Sequence, residues 1–132
     1  MIKAGDTFLL LDRKTGVWHL YVVLSDPDQS SEQIFIVMVS TRGDGKEECC
    51  LLHIGDHKFL RHDSVIVYKI PPAMLVSMTQ LNQWKTDGIL KDKTSVTSTI
   101  LDRIRQGYAD SRYLTDRVYQ LLCRQGLIGD LK

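Results

Sequence analysis

Apolar residues change their spacing at Pro71-Pro72, and this change sets the fold class. Before the two prolines, apolar and polar residues alternate with a period of two, as in β-strands. After them, apolar residues recur three and four positions apart, as on one face of a helix. The sequence therefore predicts one α+β domain over residues 1–132, with a β-rich part at 1–72 and a helical tail at 73–132.

The β-rich part contains five runs with strand character, at residues 7–12, 17–24, 33–40, 48–54 and 64–70. The connections between them are shorter than the dozen or more residues that a parallel crossover needs. We therefore expect antiparallel pairing. Because the second and third runs are apolar on both faces, we expect them in the centre of a small barrel or half-barrel.

Three helices are predicted in the tail, at residues 73–86, 95–110 and 115–125. Thr94 or Ser95 is suited to cap the second helix, and Thr115 the third. Helical phasing places Arg103 and Arg105 on the outer face, solvated or paired with aspartates.

Charge and composition exclude several classes of protein. The 132 residues include 17 basic and 16 acidic side chains, with 43% hydrophobic residues, which is typical of a globular domain. The tail holds 9 basic and 6 acidic residues, a bias smaller than the basic footprint of most nucleic-acid-binding domains. No apolar run approaches the roughly 18 residues of a membrane span, and no signal region is evident. The three cysteines are odd in number, so we expect reduced thiols and a cytoplasmic protein.

Histidines are the main candidates for proton transfer. His53, His57 and His62 lie between the fourth and fifth strands, near Lys58 and Arg61, which are suited to bind a phosphate. His19 lies inside the apolar second strand. We consider His19 and His57 as base and acid on opposite sides of a bound ribose phosphate, the alternative being that these histidines are structural or solvated.

A metal site formed by His53, Asp56, His57 and His62 is the second interpretation of this segment. Its histidine spacing matches no established zinc pattern, and no cofactor motif is present, so we expect neither a metal nor a cofactor. Ser40 and Thr41 end the third strand beside Arg42, where a hydroxyl could hydrogen-bond a phosphate.

The order of the first motifs suggests a family. Gly5-Asp6 opens the first strand, Val22-Val23-Leu24-Ser25 ends the second, and Val39-Ser40-Thr41 ends the third. Over residues 4–70 this order resembles the PemK/MazF toxins, SH3-like barrels that cleave RNA in bacterial toxin and antitoxin pairs. His19-Leu20 stands where that family has an Arg-Pro pair.

The resemblance implies an SH3-like barrel whose site includes the strand-end hydroxyls of Ser40 and Thr41. Residues 55–64, together with Trp18-His19-Leu20, also resemble uncharacterised bacterial proteins of similar length that are often predicted to be relatives of these toxins. Our first hypothesis is therefore a metal-independent endoribonuclease with His19, His57, Ser40 and Thr41 as catalytic residues. Arg42, Lys58, Arg61 and His62 would bind the substrate.

The second hypothesis is a non-catalytic module that binds a partner protein or nucleic acid. RNA, an antitoxin or other protein, and a second copy of the chain are the expected partners, and a membrane is not.

Overall fold

The computed structural model describes residues 2–128, and it combines one antiparallel sheet with three helices. The α+β class and the antiparallel pairing predicted from sequence are confirmed. The strands are β1 (Thr7–Asp12), β2 (Val17–Val23), β3 (Gln33–Thr41), β4 (Leu51–Leu52), β5 (Ser64–Val67), β6 (Met74–Ser77) and β7 (Leu90–Lys93). The helices are α1 (Met78–Thr86), α2 (Ser98–Asp110) and α3 (Asp116–Arg124). None of the helices within residues 2–128 has the length and apolar character needed to cross a membrane.

The sheet is open, so of the barrel and half-barrel expected from sequence, the closed barrel is wrong. Its strand order is β4-β5-β3-β2-β1-β7, and β4 and β7 do not pair with each other in the described part of the chain. β4 has only two residues, and the Arg103 guanidinium of α2 donates a hydrogen bond to the Leu51 carbonyl. This contact occupies an acceptor on β4 that closure of the sheet could otherwise use.

Residues 73–132 are more than a helical tail, because they supply two strands. β6 pairs with residues 33–36 of β3, and β7 pairs with residues 7–10 of β1. The first helix therefore begins at Met78, after Ser77 has capped it by accepting a hydrogen bond from the Gln80 amide. Thr97 caps α2 in place of the predicted Thr94 or Ser95, and Thr115 caps α3 as predicted.

Both faces of the central strands are buried, as predicted. Along β2, Leu20 and Val22 pack on one face with α2 and α3. Tyr21 and Val23 pack on the other face with Leu81 of α1. The sheet is thus the middle layer of the molecule, and the buried residues of β2 alternate between two separate cores.

Helix α2 lies unusually close to the sheet at Gly107. A Cβ atom at this position would lie 2.5 Å from the Tyr68 hydroxyl and 2.8 Å from Cβ of Cys50. The Tyr68 hydroxyl donates a 2.6 Å hydrogen bond to the Ile104 carbonyl, one turn earlier on the helix. Only glycine allows this approach of α2 without displacing its neighbours.

Arg105 is buried, so the prediction of an outward guanidinium is wrong at this position. Its Nε donates to the Leu24 carbonyl at 3.4 Å, and its NH1 lies 3.7 Å from Asp102. Desolvation lowers the pKa of Arg105. Because α2 packs its apolar residues over a wide stripe, the methylene stem of Arg105 lies inside the buried face. Arg103 is exposed, as predicted.

Candidate functional site

A cleft opens where β2 and β3 separate. Their pairing ends at Tyr21 and Met38, after which β3 continues to Thr41 along β5 and β2 lies along β1 only. The opening has a volume of about 320 Å³. We call it the β2–β3 cleft, and its lining residues are Leu20, Val39, Ser40, Thr41, Phe59, Leu60, Arg61, His62 and Ser64.

Four of the residues predicted from sequence line this cleft. Ser40 and Thr41 come from the end of β3, and Arg61 and His62 from the segment before β5. NH1 of Arg61 donates to the Lys58 carbonyl at 2.7 Å, which fixes the guanidinium and leaves its Nε and NH2 for a ligand. The exposed imidazole of His62 has no hydrogen-bond partner among residues 2–128. The cleft therefore presents hydroxyl, guanidinium and imidazole groups together.

Lys46 lies beside two residues that line the cleft, although it was not among the site residues predicted from sequence. Its Nζ donates to the Ser40 hydroxyl oxygen at 3.0 Å and to the Thr41 carbonyl at 2.7 Å. Gly45 has a positive φ of 76°, and the turn around it brings the chain back towards the end of β3. The sequence does show a turn at residues 42–46. A lysine at the end of such a turn is expected to lie close to the strand that precedes it, and this signal could have identified Lys46. Because Lys46 donates to Ser40, the Ser40 hydroxyl hydrogen stays free for a ligand.

The floor and rim of the cleft are apolar. Leu20, Val39 and Leu60 are buried beneath it, whereas the Phe59 side chain at the rim is 40% exposed. An exposed aromatic ring beside cations is the arrangement on which nucleic-acid bases stack. The cleft therefore joins an apolar surface to polar groups that can bind an anion.

His57 has a structural position, outside the lining of the cleft. Its Nδ1 accepts a 3.0 Å hydrogen bond from the Phe59 amide, which assigns the ring proton to Nε2. Nε2 lies 2.5 Å from the Thr94 carbonyl and 3.2 Å from the Thr7 hydroxyl. Neither ring nitrogen of this buried histidine is free, so the ring is not placed to exchange a proton with a substrate.

His19 lies on the opposite face of the sheet from His57, so the predicted base and acid pair is wrong. His19 alternates with Leu20 along β2 and shares the face of Tyr21, which packs towards α1. His57 instead contacts Thr7 on β1. Thr7 precedes Phe8, which faces α1, so the Thr7 side chain lies on the opposite face of the sheet. The sheet separates the two imidazoles, and no common substrate can bridge them.

The remaining predicted cations differ in their availability. Arg42 forms a two-point ion pair with Glu48, with N···O distances of 2.7 and 3.2 Å. This hydrogen-bonded pair raises the pKa of Arg42 and lowers the pKa of Glu48. Lys46, Lys58 and Arg61 have no carboxylate partner within the described residues, so they supply the positive charge near the cleft.

The residues of the alternative metal site do not converge. Nδ1 of His53 lies 3.2 Å from Asp63, His57 is held by Thr94, and His62 lines the cleft. Over residues 2–128 no three His, Cys, Asp or Glu side chains are grouped so that they could hold a metal ion.

The fold and the cleft define the chain as a small α+β protein with an open antiparallel sheet and a cationic cleft at a strand separation. No family model, curated protein or solved structure matches the chain. Its function is therefore inferred from the chemistry of the cleft.

Proposed function

We propose that the chain is a toxin-type endoribonuclease that binds single-stranded RNA in the β2–β3 cleft and cleaves it without a metal. The observation that carries this proposal is the convergence of Ser40, Arg61 and His62 beside an exposed Phe59. The same proposal includes two further points. The fold is an open relative of the SH3-like barrel, and the protein acts in the cytoplasm as the toxin of a toxin and antitoxin pair.

The cleft suits a single nucleotide. Its volume of about 320 Å³ lies at the lower end of the roughly 300–1,000 Å³ range of small-molecule sites. Arg61 and the Ser40 hydroxyl can bind a phosphate, while the Phe59 ring can stack on an unpaired base. A base held in a duplex cannot reach an aromatic ring in this way, which favours single-stranded RNA.

The free imidazole of His62 favours cleavage. In RNA, the 2′-hydroxyl can attack the adjacent phosphate once a base removes its proton, and imidazole exchanges protons near neutral pH. Arg61 would stabilise the charge that develops on the phosphate oxygens. These steps need no cofactor.

Binding without cleavage is the second candidate function, and the positions of His19 and His57 favour it. His19 and His57 lie outside the cleft, so His62 is the one histidine among its lining residues. A single histidine is sufficient for base recognition but needs a second group for acid and base catalysis.

A binding and cleavage assay on labelled single-stranded RNA tests both functions. The proposal predicts cleavage by the parent protein, loss of cleavage with retained binding in His62→Ala, and weaker binding in Arg61→Ala. His53→Ala, an exposed histidine outside the cleft, serves as the matched control and should cleave like the parent. A DNA of the same sequence should bind without being cut, because it lacks the attacking hydroxyl.

Binding of RNA without cleavage by the parent would favour the second candidate. Absence of both binding and cleavage at low salt would refute a nucleic-acid function for this cleft, since phosphate contacts are strongest there.

A further inference from the structure

The cleft needs a proton donor that the sequence did not suggest. Cleavage by the 2′-hydroxyl requires one group to take a proton and another to protonate the leaving 5′-oxygen. His62 can fill one of these roles. Arg61 cannot fill the other, because a guanidinium does not lose its proton in proteins.

Lys46 is the cation whose position fits the missing role. Its ammonium nitrogen lies 3.0 Å from Ser40 Oγ and 2.7 Å from the Thr41 carbonyl, and both residues line the cleft. Two of its three protons are used in these hydrogen bonds, and the third remains for a ligand. The ammonium of Lys58 makes no hydrogen bond or ion pair with a lining residue in the described chain.

The hydrogen bonds also fix where the ammonium stands. Lysine has a flexible four-carbon stem, so an exposed lysine without partners samples many positions. The two acceptors at the end of β3 hold Nζ beside the Ser40 hydroxyl, whose own hydrogen is free to bind a phosphate oxygen. A phosphate bound by Ser40 would therefore have the ammonium next to it.

We propose that Lys46 is the general acid of the RNA cleavage, an inference that rests on the proposed function. His62 takes the proton of the 2′-hydroxyl, and the 2′-oxygen forms a bond to phosphorus. The bond from phosphorus to the 5′-oxygen breaks, and Lys46 Nζ gives its proton to that oxygen. The products are a 2′,3′-cyclic phosphate and a 5′-hydroxyl, and exchange with water restores both side chains.

An RNA with sulfur in place of the scissile 5′-oxygen tests this role. A thiolate leaves without being protonated because a thiol is far more acidic than an alcohol. Lys46→Ala should slow cleavage of the oxygen substrate by about 10²–10⁴-fold, the usual contribution of a general acid, and should cleave the sulfur substrate near the parent rate. His62→Ala, which lacks the base, should be slow on both substrates.

Lys46→Arg separates proton donation from charge. Arginine keeps the positive charge but donates no proton, so this variant should behave like Lys46→Ala on both substrates. Lys14→Ala, which removes an exposed lysine on the β1–β2 turn, is the control and should match the parent. Thermal unfolding should be unchanged in all these variants, since the side chains are exposed.

Two results would overturn the role of Lys46 while leaving the proposed function intact. The first is equal slowing of Lys46→Ala on the oxygen and sulfur substrates. The second is parent activity in Lys46→Arg on the oxygen substrate, which would show that charge alone is required. If the parent protein cleaved neither substrate, the proposed function and the acid role would both be wrong.

Discussion

Replacing Gly107 by alanine should destabilise the protein although alanine is the better helix former. The new methyl group would lie 2.5 Å from the Tyr68 hydroxyl, 2.8 Å from Cβ of Cys50 and 3.0 Å from the Cys49 carbonyl. Carbon atoms in favourable contact are separated by about 3.5 Å or more, and these distances are shorter. Helix α2 would therefore have to move away from the sheet.

The expected magnitude follows from three contributions. Overpacking of this kind costs about 1–3 kcal/mol. Displacing the Tyr68 hydrogen bond to Ile104 costs about 1 kcal/mol, and the higher helix propensity of alanine returns about 1 kcal/mol. The free energy of unfolding should therefore fall by about 2 kcal/mol, which lowers Tm by roughly 6–8 °C for a chain of this size.

Urea unfolding followed by circular dichroism measures this change. Gln106→Ala, at the exposed neighbouring position of α2, is the matched control and should alter the free energy of unfolding by less than about 0.5 kcal/mol. The double variant Tyr68→Phe with Gly107→Ala removes the nearest clashing atom and should lose less than the sum of the two single variants. A Gly107→Ala protein as stable as its parent would show that α2 does not approach the sheet this closely.

Three further predictions concern stability and binding. His57→Ala should lower the free energy of unfolding by about 1–3 kcal/mol in urea, because it removes a buried ring and its hydrogen bonds to Thr94 and Phe59; a neutral result would contradict its structural role. Burial raises the pKa of Tyr68, so the folded state holds the phenol proton more tightly than the unfolded state. Stability is then full below the unfolded tyrosine pKa of about 10 and falls as pH rises through it, and urea unfolding near that pH should show a smaller loss in Tyr68→Phe. Phe59→Ala should weaken RNA binding by about 1–3 kcal/mol in a titration, while Ile54→Ala, also exposed but outside the cleft, should not; equal effects would exclude stacking on Phe59.

The sequence predicted the strands that are apolar along most of their length and missed those that depend on distant partners. Residues 7–12 and 17–23 form strands because their nearly continuous apolar runs, bounded by turn signals, match a sheet buried on both faces. Met74–Ser77 carries apolar residues at a spacing that suits a helix equally well, and its pairing with residues 33–36 decides the outcome. The strand β7 was missed because three of its four residues are charged and give no apolar signal: Lys91, Asp92 and Lys93. Charged side chains are common on a strand at the edge of a sheet.

The sequence indicated which chemical groups the candidate site contains, but it did not show which residues the fold brings together. Ser40 and Arg61 were recognised as groups that can bind a phosphate, and the structure places both in one cleft. The cleft itself arises from the separation of β2 and β3, which no local pattern reveals. The structural role of His57 could not be predicted, because its partner Thr94 lies 37 residues away in the sequence. No local pattern indicates a contact over that separation.

The way β3 is shared between two partners has a consequence for synthesis on the ribosome. One edge of β3 pairs with β5 along residues 38–41 and with β6 along residues 33–36. A nascent chain that has emerged only as far as β5 therefore exposes half of that edge, and β1 lacks its β7 neighbour until Lys93 has emerged. Unpaired strand edges promote association between chains. Pausing of translation between residues 70 and 93 should thus raise aggregation of the newborn protein, whereas pausing after residue 93 should not.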